Sequence, residues 1–356
     1  MFVEPTVLIL GAGASLSYGY PLGTGLTRHI LSPLQSVNFR DPSQRVEQSL
    51  RSSHRETIAL LEMIDATFED WRAFVISFHR SSFQTIDQFI GARSENKKVA
   101  EIGKVLIAQK LLQCEADWVN GSHVFDDTLP LKEQAERNVD FWYKTILHHL
   151  PHPNDINHNL SVVTFNYDLS LHHAIYEHAT HAFGLSGRAA SDYVANIKII
   201  SVYGTVGRLK WQDPEGRNYG EMPFPDQIVQ AAQNIKTISE ARELTTFEEA
   251  KAQIHNARFR FILGFGFHYD NCQRIGLQAL KAGNDPVYSA EPTNASSCGM
   301  TVADRRSVQR NFEAVQFDQP EGFTTITNYL RNCEPFRIAT DIKRQKDPRG
   351  SLFISS

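Results

Sequence analysis

The chain of 356 residues carries 36 Lys and Arg against 40 Asp and Glu, a formal charge of −4, and 41% of it is hydrophobic. This is ordinary globular composition, and a slightly acidic balance spread along the chain argues against direct nucleic-acid binding, which needs a basic stripe to release phosphate counterions. The longest apolar runs, residues 7–10 and 261–267, fall far short of the ~20 residues that cross a bilayer, and no basic, apolar leader opens the chain. The expectation is a cytoplasmic protein without a membrane span. Cys114, Cys272, Cys298 and Cys333 lie far apart with no CxxC pair, which suggests neither a disulfide framework nor a zinc site.

Residues 6–10, Thr-Val-Leu-Ile-Leu, are apolar or β-branched and run into Gly11-Ala12-Gly13-Ala14-Ser15, the pattern of a buried strand followed by a tight turn. Apolar residues at three- and four-residue intervals then predict helices over 56–68, 85–90, 100–119 and 131–150. Together they form a helical insertion over about residues 40–155, closed by Pro151 and Pro153. Further short apolar runs at 160–165, 197–203, 259–265 and 286–290 predict four more strands. Buried strands separated by helix-length stretches indicate an α/β fold: a Rossmann-like, mostly parallel sheet with helices on both faces. Residues 213–225, with Pro214, Gly216, Gly220, Pro223 and Pro225, predict a surface loop, with helix resuming near Gln227. One domain over residues 1–335 and a solvated tail over 336–356, with Lys343, Arg344, Lys346 and Arg349 close together, complete the expected organisation.

A strand entering a glycine turn and a helix presents backbone N–H groups where a diphosphate can approach. The full dinucleotide fingerprint is absent, since its third glycine position is Leu16, and no Gly-Lys-Ser/Thr follows the turn, so neither a standard Rossmann dehydrogenase nor a P-loop nucleotidase is expected. The bland alternative is that these glycines serve only close strand–helix packing. A second strand ends in Asn166-Tyr167-Asp168, at the sheet edge where α/β proteins bind ligands; the competing reading is a turn or helix cap. A third runs into Gly264-Phe265-Gly266-Phe267.

Gly-Ala-Gly-Ala-Ser with Gly19-Tyr20-Pro21, then Thr164-Phe165-Asn166-Tyr167-Asp168, then Tyr203-Gly204-Thr205, then Gly264-Phe265-Gly266-Phe267, in this order on successive strands, resembles the sirtuin-like family. The Asn-Tyr-Asp form and Thr85-Ile86-Asp87-Gln88-Phe89 are similar to its bacterial branch, whose members degrade NAD during phage infection. The likeness implies NAD bound as substrate, without a metal, across the strand ends, and cleavage of its nicotinamide–ribose bond. It would place Gly11, Ala12, Gly13 and Ser15 at the diphosphate and Pro21 over the nicotinamide end. Asn166 would hold the ribose or the attacking water, Asp168 would support the nicotinamide pocket or the developing positive charge, and Gly264 and Gly266 would make room for the adenosine, with Glu291 toward its ribose hydroxyls.

Three departures bear on activity. The family's usual His-Gly is Tyr203-Gly204 here, and a phenol with a pKa of about 10 is a poor base unless its surroundings lower that value; His268 and His172 are the nearby substitutes. The four-cysteine zinc module of the deacylases is missing, and Pro21 is followed by Leu22-Gly23-Thr24 rather than by their acidic, aromatic and basic residues. An NAD glycohydrolase that acts as an antiphage effector is therefore the leading expectation. It would be controlled by homo-oligomerisation or by an ATPase or sensor partner meeting the helical layer or the tail. The alternatives are a catalytically impaired NAD or ADP-ribose sensor and a structural subunit of a defence complex.

Overall fold

The computed structural model describes residues 1–36, 44–120, 141–155, 159–237, 240–243, 245–280, 292–297, 299–317 and 325–340. Six strands form one sheet: β1 (Thr6–Leu10), β2 (Leu160–Thr164), β3 (Lys198–Ser201), β4 (Phe259–Leu263), β5 (Thr293–Ala295) and β6 (Val315–Phe317). All neighbours pair in parallel, in the order β3-β2-β1-β4-β5-β6. That is the order of the doubly wound sheet, whose direction of winding reverses between β1 and β4. β1, β2 and β4 are buried at every residue because they sit inside the sheet with both faces covered. The α/β expectation is met.

Register sets the height of the strand tips. Leu10 pairs with Thr164 on one side and with Leu263 on the other, and Thr164 pairs with Ser201. The residues that follow, Gly11, Phe165, Val202 and Gly264, therefore emerge side by side at the carboxyl edge.

Most of the helical layer packs round one long helix, Lys97–Val119, started by Asn96, whose side chain accepts from the Val99 N–H. Residues 102–108 of this helix are buried in succession, so it is enclosed on all sides rather than amphipathic. Gly103 makes a notch in it: a Cβ there would lie 2.2 Å from Ile90 Cδ1. Into that notch docks the helix Ile86–Ala92, capped by Thr85.

Several sequence expectations need correction. The single helix over 56–68 is two: Arg55–Glu62 ends before Asp65, which has φ +55°, and Phe68–Arg80 restarts from a Thr67/Asp70 capping box. The segment 213–225 is not simply a surface loop, because Arg217 and Gly220 are buried within it. The tail does not begin at 336: the helix Glu334–Thr340 buries Phe336 and Ala339, and Phe336 packs edge-on against Phe2 and Phe261. β6 was not anticipated at all. The strand expected at 286–290 lies outside the described residues, and the strand paired beside β4 is the polar Thr293–Ala295. Of the helix expected over 131–150, residues 131–140 are likewise outside; Tyr143–Leu147 is helical. Cys114, Cys272 and Cys333 are buried free thiols, and among the described residues no helix is long and apolar enough to cross a membrane.

Candidate functional site at the carboxyl edge

The glycines of the first turn serve the fold directly. Gly11 N–H donates to Leu263 O at 3.1 Å and Gly13 N–H to Gly264 O at 2.8 Å, so the β1 and β4 turns continue the sheet past its last residues. A Cβ on Gly11 would stand 2.6 Å from Phe265 Cα, and one on Gly13 would stand 2.9 Å from Gly264 Cα. The packing reading of these glycines is thus realised. Two of the amides that the resemblance assigns to a diphosphate are engaged inside the protein, and the helix that follows, Ala12–Ser15, is a single turn.

Asn166 is tied to that turn. Its Nδ2 donates to Gly11 O at 2.9 Å and to Ser15 Oγ at 2.8 Å. A carbonyl oxygen only accepts, which fixes the amide's orientation and leaves Oδ1 as an acceptor for a ligand hydroxyl or water. Half-buried, Asn166 stands between the tips of β2 and β1.

Asp168 is buried. Its Oδ1 accepts from Ser170 N at 3.0 Å and from Ser170 Oγ, and the Ser15 side chain lies near the carboxyl. Burial raises its pKa, and the serine donors hold back that rise. The turn reading of Asp168 is therefore realised too, at the start of the helix Ser170–Phe183. Ser15 gathers both polar residues of the β2 tip. Pro21 lies half-buried in the loop beyond, after Tyr20, whose hydroxyl reaches Glu115 Oε2 at 3.1 Å.

Tyr203 follows β3 with its ring 5.9 Å from Phe165 and 6.5 Å from Tyr167. Its hydroxyl donates to Asn271 Oδ1 at 2.5 Å and accepts from Arg274 at 3.1 Å. Burial pushes the phenol up to about 12 despite the nearby guanidinium. Its surroundings raise the pKa where base catalysis needs it lowered, so this tyrosine is a held phenol and not a base at neutral pH.

Neither histidine simply replaces it. His172 faces away from the turn, lining a groove of about 520 Å³ along β3 with Trp211, Lys198 and Glu249, and its desolvation lowers its pKa to about 4. His268 is exposed and follows Phe267, a residue in the left-handed region at φ +51°. Gly264 shares that conformation at φ +59°, and Gly266 is exposed beside the His268 ring. Glu291 lies outside the described residues.

The sequence reading missed a second set of contacts. Tyr167, between Asn166 and Asp168, donates to Asp87 Oδ1 at 2.6 Å. Behind Tyr20, the fully buried Glu115 accepts from both terminal nitrogens of Arg217 and from Gly220 N at 2.9 Å. Both carboxylates sit on helices otherwise read as packing surfaces; the only sequence signal was the presence of Asp87 in the Thr-Ile-Asp-Gln-Phe segment. Among the described residues, no group of three or more His, Cys, Asp or Glu is placed to hold a metal.

Compared with protein-family models and with curated proteins, the chain matches none.

Proposed function

We propose that the chain binds NAD at the carboxyl ends of β1, β2 and β4 and hydrolyses its nicotinamide–ribose bond. The observation that carries the reading is the Asn166 amide, pinned to Gly11 O and Ser15 Oγ between the β2 and β1 tips with its acceptor oxygen uncommitted. In the step, a water oxygen bonds to the ribose carbon while the carbon–nitrogen bond breaks. The bonding pair leaves with neutral nicotinamide, and the water proton goes to solvent. Positioning and charge stabilisation supply the rate in such a step, which suits a site whose fixed groups are an amide and carboxyls. By its resemblance to the bacterial NAD-degrading branch, we further propose an NAD-depleting antiphage effector in the cytoplasm, held in check by self-association or by an ATPase or sensor partner.

Purified protein incubated with NAD is expected to release nicotinamide and ADP-ribose by chromatography. Asn166→Ala should lower turnover by roughly 10²–10³-fold, the scale seen when one oriented polar group is removed from a transition-state site. Unchanged turnover in folded Asn166→Ala sinks the reading.

One observation favours a second reading. With Tyr203 held as a phenol by Asn271 and Arg274, the chain would bind NAD or ADP-ribose without cleaving it, as a sensor or structural subunit. Calorimetric binding of NAD with no released nicotinamide selects that reading.

A further inference from the structure

We propose that Asp87 is a positioning residue for the site, acting through the Tyr167 phenol to hold the β2 tip that carries Asn166; this rests on the reading above. The helix bearing Asp87 is a firm platform. Ile86 and Phe89 are fully buried, Phe89 stacks on Phe78 at 4.9 Å, and Ile90 fills the Gly103 notch of the long helix. From it, Asp87 accepts the Tyr167 hydroxyl at 2.6 Å, the short distance typical of a charge-assisted O–H···O bond.

Tyr167 is flanked by the two residues that reach Ser15. Asn166 and Asp168 turn to the first turn on one side, and Tyr167 turns to the helical insertion on the other. The backbone between them is pinned again where Val206 N–H donates to Tyr167 O at 2.8 Å. The tip is therefore clamped from opposite sides, and at Tyr167 the clamp comes from the insertion. Losing that contact frees the tip to rotate about its remaining anchors and takes Asn166 Oδ1 out of line. Misplacement on that scale lowers turnover without removing a group that binds ligand.

The test uses Asp87→Ala, Asp87→Asn, Tyr167→Phe and the Asp87→Ala/Tyr167→Phe double variant, read by kcat and KM for NAD and by hydrogen–deuterium exchange of residues 162–170. Asp87→Ala and Tyr167→Phe are each expected to lower kcat about tenfold with KM within about twofold, as one lost hydrogen bond to a charged group allows. The double variant should be no lower than either single, because both remove one contact. Asp87→Asn, whose amide oxygen still accepts the phenol proton, should restore kcat to near the parent value. Exchange over 162–170 should rise in the two impaired singles and not in Asp87→Asn.

Parent-like kcat and exchange in Asp87→Ala overturn the proposal, as do additive losses in the double variant. So does an Asp87→Asn as slow as Asp87→Ala, which would mean that the charge itself is used. Should Asp87→Ala fail to fold, Tyr167→Phe, lacking one oxygen, carries the same decision. If the parent releases no nicotinamide, the hydrolase reading fails and the exchange pattern alone decides the clamp: faster exchange supports it, unchanged exchange overturns it.

Discussion

Glu115→Ala is expected to destabilise the protein by about 3–5 kcal/mol, the scale for removing one partner of a buried ion pair. Glu115 has no exposed surface, and Arg217 keeps only 7% of its own. Without the carboxylate, the Gly220 N–H loses its acceptor, the Arg217 guanidinium keeps only a 3.3 Å bond to Asn218 O, and the Tyr20 hydroxyl keeps only Tyr219. The cost is mostly that of stranding a buried cation, so replacing both partners by Met should recover most of the loss. Urea or guanidinium unfolding of the single and double variants checks this. A double variant no more stable than Glu115→Ala would show that the pair's geometry, and not its isolated charge, supports the fold. The consequence reaches the site, since this carboxylate joins the long helix to Tyr20, next to Pro21, and to the segment beyond β3.

Gly264→Ala should be nearly as damaging for a different reason. At φ +59° a side chain is strained, and its Cβ would sit 2.1 Å from Ala14 N and 2.4 Å from Gly13 C, both backbone atoms that cannot swing aside. Left-handed strain of ~1–3 kcal/mol and a forced backbone shift of ~1–3 kcal/mol give an expected loss of about 2–6 kcal/mol. Gly184→Ala supplies the control: its φ is +67°, and nothing lies within 4 Å of the added carbon. That variant should lose about 1 kcal/mol by conformational cost alone. Equal losses in the two, measured by chemical denaturation, would show that the two turns do not need their close approach.

What the sequence showed of this fold depended on how local the cause was. β1 was legible because five apolar or β-branched residues run straight into glycine, and the paired strand ends at Gly264 and Asn166 were legible for the same reason. β5 and β6 were not. Thr293 and Asn294 are polar residues buried by their neighbours in the sheet, and Val315–Phe317 is too short to carry a period. The break after Glu62 went unseen because apolar spacing continues through it, although Thr67 and Asp70 already spelled a helix start.

The site was half legible. Asn166 and Asp168 could be named from a polar cluster at a strand end. Whether the amides of Gly11 and Gly13 face a ligand or another turn depends on which strand becomes β1's neighbour, and β4 lies some 250 residues away. Arg217 reads as exposed because Pro and Gly surround it; its partner Glu115 is 102 residues earlier. Tyr167 has no local mark of function, since Asp87, 80 positions earlier, meets it only once the chain folds back.

Such distances have a bearing on synthesis. The hydrogen bonds that build the carboxyl edge link residues separated by 155, 128 and 80 positions: Asn166 to Gly11, Trp142 to Ala14 O at 2.7 Å, and Tyr167 to Asp87. β1 leaves the ribosome first, yet it cannot complete its pairing until β4 has emerged, and contacts so far apart in sequence form late. A nascent or truncated chain therefore lacks an assembled carboxyl edge. On the proposed NAD-consuming reading, unfinished copies would carry no complete site.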